Sequence, residues 1–114
     1  MHDNSAFDRA LLDAINYAFV SLLGVQGAIT VEELMELKSH EEIWVLAKNP
    51  DTLARLMEEI FGKRLSLRIE RMIIKSLAEK LKLDYARTSH KNFADALQFL
   101  RESIEGQPPA EGRR

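Results

Sequence analysis

Between Arg64 and Leu83, apolar residues sweep far more of a helical wheel than a surface helix needs. At 100° per residue, Leu65, Leu67, Ile69, Met72, Ile73, Ile74, Leu77 and Leu81 cover an arc of roughly 220°. An amphipathic surface helix needs an apolar stripe of only about 100° or a little more. An arc this wide is satisfied only when other segments surround the helix. Residues 64–83 are therefore predicted to form a central helix, and the rest of the chain must supply its cover. The narrow polar strip that remains carries Arg64, Arg68, Arg71, Lys75 and Lys82, within about 40° of one line.

The covering segments are themselves predicted to be helices. Asn49 followed by Pro50 is a start signal, because Asn accepts from orphan N–H groups and Pro fits the first helical position. Leu53, Met57, Ile60 and Phe61 form the buried face of that helix, and Gly62 ends it. Nearer the N-terminus, Ser5 with Asp8 resembles a capping box, followed by Phe7, Leu11, Ala14, Ile15, Ala18 and Leu22 at helical spacing. A loop is predicted over 24–27. Thr30 with Glu33 and Ser39 with Glu42 repeat the capping signature, so 30–48 reads either as two short helices or as one bent helix. Ser89 or Thr88 caps a last helix carrying Phe93, Ala94, Leu97, Leu100 and Ile104.

Strand-like alternation, internal repeats and sustained heptads are not seen. The prediction is an all-α fold, a single bundle of five to six helices over 1–106, with a mobile tail over 107–114 that has nothing to bury. At 114 residues, with 46% hydrophobic and 30% charged, the chain can build a real core under a charged surface.

Composition narrows the function classes. The absence of cysteine removes disulfide frameworks and cysteine zinc sites and fits a reducing compartment. With no unbroken apolar run of about 18 residues and no basic-then-apolar N-terminus, the chain is expected to be cytoplasmic, without a membrane partner. A net charge of -2 confines any nucleic-acid contact to a local patch.

Several groups have chemical potential. The Arg64, Arg68, Arg71, Lys75 and Lys82 stripe is the one candidate for phosphate contact, and its alternative role is a solvated face paired with Glu58, Glu59 and Glu79. Glu70 lies within the apolar arc, where a carboxylate needs a partner, a groove or a subunit contact. His40 stands beside Glu41 and Glu42 but lacks the second His a helical zinc site requires. Phosphate-cradling loops and nucleophile elbows are absent, so neither enzyme activity nor a cofactor is expected. Phe99, Phe19 and Leu23 each project off the main apolar face of their helix, and exposed together they would form a protein-contact patch.

In Asn49 to Leu83, the run NPDTLARLMEEIFG followed by LSLRIERMIIKSLAEKLKLDY resembles the small helical archaeal output domain first named from ammonia-oxidising archaea. The likeness lies in Ile60, Phe61 and Gly62, then Ile69 with Glu70, then Leu77, Glu79, Lys80 and Leu81. It extends over Leu11 to Ile104, with Asn92 to Leu100 similar to a closing Phe-rich helix. It implies a fold and a regulatory context, and it transfers no catalytic or binding residues. The expected function is a non-enzymatic helical interaction module, a homodimer or the binder of a protein partner. The alternative is a nucleic-acid-binding regulator using the basic stripe.

Overall fold

The computed structural model describes residues 6–88 and 90–105. They form α1 (Ala6–Ser39), α2 (Ile43–Ala47), α3 (Pro50–Phe61), α4 (Lys63–Leu81), a 3₁₀ turn (Tyr85–Thr88) and α5 (Phe93–Glu105). The fold is all-α over these residues, as the periodicity predicts. The expectations for Ser5, Ser89 and the 107–114 tail lie outside the described residues.

α4 is the centre of the bundle and packs against α1, α3, α5 and the 3₁₀ turn. Its Ile69, Ile73 and Leu77 are fully buried, whereas Leu67 stands 45% exposed. The buried arc is therefore narrower than the wheel suggests. Arm 6–23 of α1 runs against α4, with Ala14 and Ala18 fully buried. Along this arm, Asp13 and Tyr17 share one surface hollow with Ser76, Glu79 and Lys80 of α4, and Tyr17 lines a second with Met72 and Lys75.

The four-residue loop predicted at 24–27 is not formed. Gly24 alone departs from helical geometry (φ 77, ψ 172) and the helix resumes at the next residue. That backbone region is open essentially to glycine, so one residue makes the bend. Thr30 is consequently inside the second arm (25–39), where its hydroxyl donates to the Gln26 carbonyl at 3.0 Å instead of capping. The arm closes at His40 (φ 61), whose N–H donates to the Glu36 carbonyl.

The chain then stops and restarts, which settles 30–48 as two helices. The cap differs from the one predicted. Glu36 Oε2 accepts the Ile43 N–H at 2.8 Å, while Ser39 Oγ accepts from Glu41 N–H at 3.1 Å. Other caps also move. α3 begins at Pro50 as predicted, but the Asn49 amide donates to the Val45 carbonyl and does not cap. At α5 it is Asn92, not Thr88, whose Oδ1 accepts the Asp95 N–H at 2.8 Å. Thr88 is buried and donates to the Tyr85 carbonyl at 2.7 Å.

The backbone makes one kind of glycine bend at two places. Gly62 (φ 84, ψ 164) joins α3 to α4 with nearly the same geometry as Gly24 joins the arms of α1. With the two glycines matched, residues 24–33 and 62–71 follow the same order of buried, half-buried and exposed positions throughout. Ala28 matches Ser66, Val31 matches Ile69 and Met35 matches Ile73, all buried, while Ile29 and Leu67 are each 45% exposed. Across 11–39 and 49–77 the only shared identities are Asp13/Asp51, Gly24/Gly62 and Glu32/Glu70.

The two elbows meet in the core through Phe19 and Phe61, ring centroids 6.1 Å apart. The first turn of α1 is tied to α5 by Arg101, which donates to Asp8 Oδ1 at 2.7 Å and lies over the Phe7 ring at 4.4 Å. A charge-assisted bond of this kind contributes about 1.5–3 kcal/mol.

Candidate functional site

The Gly24 elbow carries the largest change from expectation. Residues 21–26 are all exposed, because the bend carries them past the end of the bundle. Leu22, Leu23 and Val25 (62%) stand at the tip, and Ile29 follows one turn later. Between Asp13 and Glu32 there is no charged residue. Counting unbroken apolar runs overlooks this stretch, because Asn16, Gln26 and Thr30 interrupt it. α1 is in fact long and apolar enough to cross a bilayer by length and composition, a test that the core helix of a soluble protein also passes. Only 33% of its apolar window is buried in the fold. Uncharged apolar surface on this scale is costly in water, which makes the elbow a candidate contact surface.

Of the three residues nominated for a contact patch, Leu23 is at the surface and the other two are corrected. Phe19 is completely buried against the second elbow. Phe99 is half-buried, flanked by Arg87 and Lys91 at 5.7 and 5.2 Å from its ring centroid. Each such cation contributes about 0.5–1 kcal/mol at an exposed site and covers the ring face.

The basic stripe exists. Arg64, Arg68, Arg71 and Lys75 are exposed on α4, and none makes an ion pair among the described residues. The anticipated pairing with Glu58, Glu59 and Glu79 does not occur, and Glu59 pairs instead with Lys38 at 3.7 Å. Lys82 leaves the stripe. It sits beyond the end of α4 in the left-handed conformation (φ 59, ψ 42), donating its N–H to the Glu79 carbonyl. Leu83 N–H reaches the Ala78 carbonyl, completing a Schellman turn without glycine.

Glu70 lies on the wall of a cleft of about 160 Å³ between α4, the 3₁₀ turn and the start of α5. Leu67, Glu70, Arg71 and Ile74 form one wall, at the three- and four-residue spacing of one helix face. Tyr85, Thr88, Lys91, Asn92, Phe93 and Ala96 form the other. The Glu70 carboxylate makes no hydrogen bond or ion pair to the described residues, and burial, with a smaller contribution from Glu58, raises its pKa. Its counterpart Glu32 is raised by burial and by Glu36. His40 is exposed at the end of α1, and no group of three metal-capable side chains occurs among the described residues.

Among the described residues the arrangement offers an uncharged apolar elbow, a line of cations without ion pairs and a small cleft with an unpartnered carboxylate. No family model matches the chain, and no curated protein or solved structure matches it.

Proposed function

We propose that this chain is a non-enzymatic helical interaction module that pairs with a second copy of itself through the Gly24 elbow. The carrying observation is the exposure of Leu22, Leu23, Val25 and Ile29 within a stretch that holds no charge. A two-fold contact sets a surface against its own copy, so a charged patch would repel itself and an uncharged apolar one does not. The nearest charged residues in sequence, Asp13 and Glu32, lie outside the elbow, so self-pairing there buries no charge of that stretch. An intracellular regulatory role, as an output domain, is the context that the resemblance over Leu11 to Ile104 supports, and an absence of cysteine is compatible with it.

The test is solution mass by light scattering at low and high salt. A dimer whose mass is unchanged by salt is expected, and Leu23→Glu or Val25→Glu should convert it to a monomer with unaltered helical circular dichroism. A monomer in both salts overturns the self-pairing. Sedimentation of the chain with lipid vesicles would then reassign the elbow to a bilayer surface.

A second reading is favoured by the unpaired stripe. Lys63 and Arg64 sit in the first turn of α4, which has no acidic residue to offset the positive end of the helix dipole. An anionic partner would relieve that local repulsion, and a nucleic-acid backbone engaging Arg64, Arg68, Arg71 and Lys75 would do so along the whole strip. Binding of this kind weakens steeply with added salt and loses slope in Arg68→Ala/Arg71→Ala. No binding to duplex or single-stranded DNA or RNA at low salt would eliminate it.

A further inference from the structure

We propose that the cleft between α4 and the start of α5 binds a small zwitterion of the amino-acid type, its ammonium on Glu70 and its carboxylate on Lys91 and Arg71. This goes beyond the elbow contact and rests on other residues. Glu70 is half-buried in the cleft wall and lacks a partner among the described residues. A partly desolvated carboxylate in that position is unfavourable until a cation reaches it. Arg71 and Lys91 do not fill that role, since neither approaches a carboxylate of the described residues within ion-pair distance.

The charges select the ligand class. A simple amine entering the cleft meets Arg71 and Lys91, and a simple acid meets Glu70. A molecule bearing both charges a few ångströms apart satisfies both sides at once. Asn92 lines the same space, its Oδ1 accepting the Asp95 N–H at 2.8 Å. Because Asp95 already offsets the N-terminal end of α5, the anionic end depends on Lys91 and Arg71. Lys91 is steadied by the Phe99 ring at 5.2 Å. Ile74 and Phe93 line the same space and suit an apolar side chain.

The size agrees. Drug-sized ligands occupy about 300–1,000 Å³, so a cleft of about 160 Å³ takes something smaller.

Leucine provides the probe, together with 3-methylbutylamine, which lacks its carboxylate, and 4-methylpentanoate, which lacks its ammonium. Titrated into the full chain and followed by amide NMR, leucine is expected to give saturable shifts at 70–74 and 85–93. Both singly charged compounds should bind at least about tenfold more weakly, the scale of one lost charge-assisted hydrogen bond. Glu70→Gln should weaken leucine by at least about the same factor, while Glu32→Gln, the matched carboxylate outside the cleft, should leave it unchanged. The proposal is overturned if leucine gives no saturable shift, if either singly charged compound binds as tightly, or if Glu70→Gln binds normally. Should Glu70→Gln fail to fold, the three compounds on the unaltered chain decide the matter.

Discussion

The two glycine elbows share an interior and differ in what they show to water. At Gly24 and at Gly62 the backbone takes nearly the same turn, and the residues that follow are buried in the same order. Outside, the first elbow presents Leu22, Leu23, Val25 and Ile29, whereas the second presents Lys63, Arg64 and Arg68 beside Leu67. One packing solution therefore serves two surfaces. The matched core positions hold Val31 against Ile69, one methylene apart, and Ala28 against Ser66, whose buried hydroxyl donates to the Lys63 carbonyl at 2.9 Å. Exposed positions are free of the packing constraint, and it is there that the two elbows differ in charge.

The hardest blow to this pairing of elbows is to cut the link between them. Phe19→Ala is expected to cost about 3–5 kcal/mol in urea unfolding, since a fully buried ring leaves a cavity. The half-buried Phe61 should cost less, and an equal or larger loss there would mean the second elbow anchors the first.

Next comes the bend itself. Neither Gly24 nor Gly62 has a heavy atom within 4 Å of where a Cβ would stand, so alanine meets backbone strain rather than a clash. Gly24→Ala and Gly62→Ala should each lose about 1–3 kcal/mol in thermal unfolding, and a D-alanine at either position should lose little. Unequal losses would show that the elbows share geometry without sharing strain.

Surface exchange gives a smaller effect on stability and a larger one on assembly. Ile29→Glu and Leu67→Glu change matched residues of equal exposure, and each should move stability by less than about 0.5 kcal/mol. Light scattering should find the first monomeric and the second still paired, and the reverse result would relocate the contact to α4.

The smallest effect concerns the matched carboxylates. Glu32 and Glu70 hold protons more readily in the folded chain than in the unfolded one. Stability must then rise as pH falls from their raised folded pKa values toward the ordinary carboxylate value, and decline as pH increases through that window. Glu32→Gln or Glu70→Gln should stabilise the neutral-pH protein by about a few tenths of a kcal/mol, limited by solvent screening. The advantage should vanish in acid, and a gain that persists at low pH would assign the effect to packing instead of charge.

Much of the fold was legible because its signals are local. The wide arc of α4 identified the central helix, Pro50 placed the start of α3, and Gly62 placed its end. Caps fared worse, since Ser39, Asn49 and Thr30 had other bonds available, and Glu36 reached the α2 terminus across the intervening turn. The likeness of the two elbows is carried by burial and backbone angles, with almost no identical residues.

The candidate site was less legible, and Phe19 and Leu22 show why. A helical wheel gives a side chain's direction about the axis but not whether a neighbour exists at that height. Phe19 lies off the central line of its face and is buried, because α3 reaches it through Phe61. Leu22 lies on that line and is 38% exposed, because the arm has outrun the bundle.

By itself, the sequence determined the class of structure and the points where the chain turns, because periodicity, proline and glycine act within a few residues of where they stand. Only the tertiary structure decided which apolar residues stay wet at the Gly24 elbow, and that Glu70 faces Tyr85, Lys91 and Asn92 across a cleft. Those outcomes depend on helices distant in sequence arriving, or failing to arrive, at the same place, and burial is a property of that meeting.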